Sequence, residues 1–177
     1  RQLKGSSGQR ALCARCLNAI IFDNRTIDQV VNEKVFPEAR ETIYGVIRYL
    51  PGLSRLVSQY LDKPLRAKDR EVWCLLLVGA YQLKFMSIPD HAVINEAVSA
   101  CNALKRSWAK KLVNAILRHA ARDIEEKKFE RSFDAIYQYP KWLKSLITDQ
   151  YPDQSIELLQ ASLTRAPMAL RINIRQM

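Results

Sequence analysis

The chain has 177 residues, of which 48% are hydrophobic and only five are glycine. This length supports one well-buried domain plus a linker or part of a second, and the few glycines favour helices over turn-rich sheets. The formal net charge is +10, and residues 1–122 carry 20 of the 28 basic residues but only 10 of the 18 acidic ones. Such an excess favours a polyanionic partner, either nucleic acid or an anionic membrane surface.

Several protein classes are excluded by composition. The most apolar run, residues 72–83, is bounded by Arg70 and Lys84 and is shorter than the roughly 20 residues that span a bilayer. The first twenty residues lack the apolar region of a secretory signal. Four cysteines are too few for a disulfide scaffold, so we expect reduced thiols and a cytoplasmic protein.

Hydrophobic residues recur at spacings of three and four up to residue 122, which predicts an all-α bundle of six or seven helices. The predicted helices span about residues 9–22, 38–50, 53–61, 66–85, 90–104 and 107–122. Pro51 and Gly52 are expected to break the chain between the second and third helices. Asp90 and Ser107 are the predicted N-caps of the last two.

The pattern changes after residue 122. Residues 123–138 mix charges of both signs and are predicted to form a linker or helical extension, with Asp123 and Lys127 as an i,i+4 pair. Short helices are predicted at about 141–151 and 153–163, and residues 168–174 alternate like a strand. The predicted organisation is therefore a helical domain (1–122), a charged linker (123–138) and the truncated start of a second, α/β domain (139–177), in a fragment of a longer protein.

Few residues suggest catalysis. Cys13 and Cys16 have the spacing of half a zinc site or a redox pair, but both fall on the apolar stripe of the first helix, and core packing is the expected role. His91 and His119 have no serine or cysteine partner at a recognisable spacing. We therefore predict no catalytic residue, metal site or cofactor site in this sequence.

Two glycines lie inside predicted helices. Gly45 and Gly79 belong to no glycine-rich loop that would cradle a phosphate or a dinucleotide. Their expected role is to let neighbouring helices approach closely.

The last predicted helix of the bundle has two different sides. Its apolar residues occupy one arc of a helical wheel and its cations the other, and no acidic residue lies between Cys101 and Arg122. A solvated face normally mixes charges, so we predict contacts with the phosphates of a polyanionic partner. The predicted contributors are Lys105, Arg106, Lys110, Lys111, Arg118 and Arg122, with Lys4 and Arg10 added if the first helix lies alongside. Asn114, at the seam between the arcs, is expected to hydrogen-bond a neighbouring helix.

Three segments, in order, resemble landmarks of NusB-like domains: YGVIR (44–48), VGAYQLKFMSIPDHAVINEAV (78–98) and KKLVNAILR (110–118). The resemblance covers about residues 9–122 and implies an all-α, RNA-binding bundle. Arg48 and Glu96 lie in these segments, where an internal salt bridge or helix packing is at least as plausible as RNA contact.

The remainder of the chain is similar to a longer protein family. YPKWLKSLITDQYP (139–152) and RAPMALRIN (165–173) resemble the region before the catalytic domain in the Sun/Fmu family of bacterial ribosomal RNA methyltransferases. That resemblance implies methyl transfer from S-adenosylmethionine to C5 of a cytosine in 16S ribosomal RNA. The family's methyl-donor site and catalytic cysteines have no counterpart in these 177 residues, so this segment alone is expected to bind RNA as a monomer without catalysing the reaction.

Two other functions remain open from the sequence. A free-standing NusB protein would act in transcription antitermination, binding a leader RNA and a ribosomal protein, but the segment after Pro140 argues against it. A protein-interaction bundle whose charge is incidental is the third hypothesis. Salt dependence of RNA binding separates that hypothesis from the first two.

Overall fold

The computed structural model describes residues 6–31, 35–164 and 169. Nine α-helices lie within these ranges, and the chain divides into two compact units, residues 1–133 and 134–177. In the first unit the helices are α1 (Ser6–Phe22), α2 (Ile27–Val30), α3 (Pro37–Arg48), α4 (Leu50–Ser58), α5 (Arg70–Phe85), α6 (Asp90–Ala103) and α7 (Lys110–Glu125). In the second they are α8 (Lys141–Gln150) and α9 (Ser155–Leu163).

Helix α5 is the centre of the first unit. Its residues are buried almost continuously from Val72 to Leu83, and it packs against α1, α3, α4, α6 and α7. A helix that is apolar nearly all round has no side to present to water, so its neighbours enclose it. None of the described helices is both long and apolar enough to cross a membrane.

The helix boundaries differ from the sequence prediction in small, explicable ways. The break between α3 and α4 falls at Tyr49, and Pro51 lies in the first turn of α4, where its missing N–H costs no intrahelical hydrogen bond. Asp90 is the first residue of α6 and makes no side-chain cap. Ser107 donates instead to Asn102 Oδ1 at 3.0 Å and begins a 3₁₀ turn that leads into α7.

Both helical glycines make the close contacts predicted for them. A Cβ at Gly45 would overlap the ring of Tyr81 on α5, and one at Gly79 would lie 2.7 Å from Cδ1 of Leu117 on α7. The cysteines Cys13 and Cys16 are buried in the core. These positions are confirmed as packing positions.

The start of the charged segment packs on the bundle. The ring of Phe133 meets Tyr49 and Phe85 edge-on at 6.5 and 5.6 Å, and Arg55 donates to the backbone carbonyl of Ser132 at 2.6 Å. A 3₁₀ turn over Glu130–Phe133 lies against α4. Residues up to 133 therefore belong to the compact first unit.

The predicted pair of Asp123 with Lys127 is wrong. Helix α7 ends at Glu125, and Lys127 adopts a left-handed backbone with φ 54°, so the i,i+4 geometry is not kept. Lys128 takes its place, with Nζ 3.5 Å from Asp123 Oδ1.

The second unit is small. A 3₁₀ turn over Ala135–Tyr137 packs against α9, and the hydroxyl of Tyr139 lies 2.7 Å from Oγ of Ser162. Large apolar side chains remain exposed there, among them Trp142, Leu146, Tyr151 and Ile156. The predicted strand at 168–174 lies outside the described residues, except for residue 169.

Candidate nucleic-acid interface

Helix α7 has the two-sided character that its sequence predicts. Val113, Ile116, Leu117 and Ala120 are buried against α5 and α6. Lys111, Arg118 and Arg122 are exposed, and Lys110 is half-buried. The apolar side thus fixes the helix on the bundle and leaves its cations available to solvent.

The turn before α7 holds two of the predicted cations in different ways. Lys105 is exposed and has a left-handed backbone with φ 57°. Arg106 is half-buried: Nη2 donates to the carbonyl of Lys68 at 2.8 Å, and Nε lies 3.5 Å from Oδ1 of the buried Asp69. Arg106 therefore ties this turn to the segment that precedes α5.

That tie creates a groove that the sequence did not reveal. We call it the basic groove; its volume is about 730 Å³ and its lining includes Lys63, Arg66, Lys68, Asp69, Arg106 and Trp108. Trp108 is 55% exposed. The available signals were three cations within residues 63–68 and one tryptophan between Arg106 and Lys110, but these segments lie some forty residues apart along the chain.

The other end of α7 faces a second hollow. Arg118 and Arg122 line a space of about 340 Å³ together with His91 and Asn95 of α6. Since an α-helix rises about 1.5 Å per residue, Arg122 lies roughly 18 Å along the axis from Lys110. The structure thus distributes the predicted cations along the helix instead of gathering them at one point.

Asn114 does not bridge to another helix as predicted. Its Oδ1 accepts a 3.3 Å hydrogen bond from Nε of Arg118, one turn further along α7. The seam position leaves the amide close enough to the exposed side to reach this neighbour.

Arg10 lies in the interior. It is 5% exposed; Nε donates to Oε1 of Gln82 at 2.7 Å and Nη1 pairs with Glu96. Burial lowers the pKa of the Arg10 guanidinium, and the Glu96 carboxylate opposes that effect. A buried Arg10 has no route to an RNA phosphate, so we omit it from the proposed interface. Of the two roles that the sequence left open for Glu96, the structure shows the internal salt bridge. Lys4 lies outside the described residues.

The thiols are poor candidates for chemistry. Cys13, Cys16, Cys74 and Cys101 are all buried. Burial raises the pKa of Cys13 and Cys74 to about 12 and also raises that of Cys16 and Cys101. A thiol must ionise to act as a nucleophile or metal ligand, and no cluster of metal-binding side chains occurs in the part of the chain that the structure describes.

Two segments of the chain match the models of known protein families. Residues 6–122 match the NusB family model. The chain belongs to the NusB family. Residues 139–177 match a second model, described as the ferredoxin-like domain of RsmF/B-like methyltransferases. The NusB domain is thus followed in this chain by a segment that matches a methyltransferase-associated domain.

Curated relatives align with most of this chain. Ribosomal RNA small subunit methyltransferase B of Pseudomonas syringae pv. tomato is 40% identical over 138 residues, which cover 77% of this chain and 31% of the relative. The Pseudomonas putida protein of the same name is 35% identical over 175 residues, covering 94% of this chain and 40% of the relative. The chain therefore spans only a third to two fifths of the length of these relatives.

A solved structure supports the fold independently. NusB from T. maritima superposes with a TM-score of 0.56 at 25% sequence identity, over 72% of this chain and 98% of that one. The predicted all-α NusB-like bundle is confirmed.

Proposed function

We propose that this chain is the RNA-binding amino-terminal part of a ribosomal RNA methyltransferase, and that it recruits 16S ribosomal RNA as a monomer. In this proposal a catalytic domain outside these residues transfers a methyl group from S-adenosylmethionine to C5 of a cytosine. The supporting observation is the order of the two family matches within one chain, residues 6–122 and then 139–177. Relatives named as methyltransferases align across both regions.

Electrostatic attraction is the proposed binding mechanism. The exposed cations Lys105, Lys111, Arg118 and Arg122 lie on or next to α7, and each neutralised phosphate releases condensed counterions from the RNA. Because phosphates carry no sequence information, this face would position the RNA while other contacts specify it.

Methyl transfer does not belong to the described residues in this proposal. The four buried thiols, whose pKa values are raised, do not fit the role of a thiolate nucleophile. We assign no residue of this chain to the methyl donor and expect the chain alone to be inactive with S-adenosylmethionine.

The antitermination alternative is less well supported. The fold likeness to T. maritima NusB is equally compatible with a free-standing NusB protein that binds RNA and a ribosomal protein. The match of residues 139–177 to a methyltransferase-associated domain favours the first proposal.

The test measures RNA affinity as a function of salt. The chain is titrated against a 16S ribosomal RNA fragment at several salt concentrations, and log K should fall with log salt by about 0.7 to 0.9 per phosphate neutralised. Replacing Lys111 and Arg118 with glutamine should make the dependence of log K on log salt less steep, by up to about 0.7 to 0.9 for each phosphate contact that is lost.

A matched pair of substitutions controls for net charge. Arg25 and Lys141 are exposed cations that do not belong to α7, and replacing both with glutamine should leave the slope nearly unchanged. A flat salt response of the unmodified chain, or equal effects of the two double variants, would refute an interface on α7.

A further inference from the structure

We propose that the basic groove is a binding site for single-stranded RNA, in which the indole of Trp108 stacks on an unpaired base while Lys63, Arg66 and Lys68 contact the adjoining phosphates. This inference rests on the proposed RNA-binding function and adds to it the form of RNA recognised and the place of contact.

The charge of the groove selects an anionic occupant. Lys63, Arg66 and Lys68 are exposed, and none has an ion-pair partner among the residues that the structure describes. The carboxylate in the lining, Asp69, lies beside the guanidinium of Arg106. The surface facing solvent is therefore cationic, which suits a phosphate backbone.

Trp108 supplies a surface that phosphates do not need. Exposed tryptophan is costly in water, and a large aromatic side chain among cations is the combination on which unpaired bases stack. The side chain stands on a short 3₁₀ turn, Ser107–Ala109, whose last residue is fully buried. The buried Ala109 fixes the turn from below and keeps the indole at the groove.

Arg106 holds the two walls in place. It spans from the turn before α7 to Lys68 and Asp69, and its Nη2 donates to the Lys68 carbonyl at 2.8 Å. A groove whose walls are joined in advance loses less conformational entropy when it binds. Arg106 is thus a positioning residue for this site.

The dimensions and surroundings favour a single strand. A volume of about 730 Å³ falls in the range of small-ligand sites, which suits one or two nucleotides and not a duplex read across its minor groove. Pro64 and Leu65 also line an adjoining hollow of about 420 Å³ that includes Phe22 and Trp73. Aromatic surfaces therefore occur on both sides of the cationic segment, as a chain of alternating bases and phosphates requires.

The experiment measures the fluorescence anisotropy of a labelled RNA strand of roughly ten nucleotides, and of the same strand annealed into a duplex. Trp108→Ala should weaken single-strand binding by about five- to a hundredfold, the effect of removing one stacked base. Trp108→Phe, which keeps an aromatic face, should retain most of the affinity. Duplex binding should respond little to either change.

Trp142→Ala is the matched control, because Trp142 is another exposed tryptophan, 68% accessible and in the second unit. The Trp142→Ala variant should bind the single strand as tightly as the unmodified chain does. If Trp108→Ala binds the single strand normally while 16S ribosomal RNA binding still depends steeply on salt, the groove proposal is wrong and the proposed function stands. If neither RNA binds the unmodified chain at low salt, both are wrong. Base stacking would also be overturned if Trp108→Ala and Trp108→Phe lost the same amount of affinity for the single strand. The same conclusion would follow if poly-glutamate displaced the labelled strand as effectively as unlabelled RNA does.

Discussion

Asp123 joins the end of α7 to the end of α4. Its buried carboxylate accepts hydrogen bonds from the hydroxyl of Tyr60 and, at 3.2 Å, from Nε2 of Gln59, and Lys128 lies 3.5 Å away. Burial by itself would raise the pKa of Asp123, but the hydrogen bonds from Tyr60 and Lys128 outweigh it and lower the pKa. Burial and the bond to Asp123 raise the pKa of Tyr60 to about 12.

A lowered pKa makes Asp123 a source of pH-dependent stability. The contribution is fully present above the pKa of an unfolded aspartate and is lost as the pH falls through the lower folded-state value. Asp123→Asn should therefore reduce the free energy of unfolding at neutral pH by about 1 to 3 kcal/mol, the effect of weakening hydrogen bonds to a charged acceptor. It should also flatten the loss of stability on acidification, measured by urea unfolding at a series of pH values.

Asp62→Asn serves as the control, because it removes the same charge from an exposed position. Its unfolding free energy should stay close to that of the unmodified chain. If both variants show the same pH profile, Asp123 does not carry the acid sensitivity.

Arg10 illustrates what the sequence leaves undecided at this scale. A helical wheel places a residue on a side of its own helix, but it does not show which distant residue meets that side. The partners of Arg10, Gln82 and Glu96, are 72 and 86 positions away. The excess of positive charge in residues 1–122 therefore predicted exposed cations, and the structure has them. Arg10 is an exception, because it lies inside the bundle and joins α1 to α5 and α6.

Among the helices, the contact of α3 with α5 depends on one missing side chain. Gly45 lies against the ring of Tyr81, which is itself buried. In a helix, alanine is ordinarily favoured over glycine by about 0.5 to 1 kcal/mol. Here the added methyl group would collide with an aromatic ring that has little space to move.

Gly45→Ala should therefore destabilise the bundle, by about 1 to 3 kcal/mol for an overpacked core. Gly79→Ala is the matched comparison and should cost less, because its new Cβ meets the methyl ends of Leu117 at 2.7 and 2.8 Å, which can rotate. Urea unfolding followed by far-ultraviolet circular dichroism measures both. A Gly45→Ala variant as stable as the unmodified chain would show that this glycine does not set the spacing between α3 and α5.

Helices were the most predictable level of this molecule. The spacing of apolar residues located the long helices to within a few residues, because a helix that buries one side repeats apolar residues every three or four positions along its own sequence. Their ends were less predictable. Lys105 and Lys127 take left-handed backbones that glycine usually adopts, so neither helix end carried the expected signal.

The extent of the first unit matters for the whole molecule. A cut at residue 122, suggested by the sequence and by the end of the NusB match, would remove Asp123 and also Phe133, whose ring packs on Tyr49 and Phe85. We propose that the stable unit ends at Phe133, where the compact unit ends.

A chain ending at Phe133 should accordingly unfold at a higher urea concentration than one ending at Arg122. The free energies of unfolding of the two chains should differ by at least about 1 kcal/mol, since full burial of a phenylalanine contributes about 1.5 to 3 kcal/mol and Phe133 is half-buried. A Phe133→Ala variant of the longer chain distinguishes loss of this ring from loss of Asp123. Equal midpoints for the two truncated chains would place the boundary back at residue 122.

The basic groove belongs to this largest scale too, which is why the sequence concealed it. Lys68 and Arg106 become neighbours only when α5, α6 and α7 have assembled. The α7 cations were visible beforehand because they share one helix. A site formed by two loops requires their relative placement, and no local pattern contains it.

The three tryptophans have a practical consequence for spectroscopy. Trp108 and Trp142 are mostly exposed, and only Trp73 packs against the core. The ultraviolet emission of the folded chain will therefore already come largely from hydrated indoles, and its wavelength will shift little when the bundle unfolds. The same property makes Trp108 a reporter of the groove. With Trp142 changed to phenylalanine, quenching of the long-wavelength emission, which comes from the exposed Trp108, records occupancy of the groove, while the emission of Trp73 follows the state of the core.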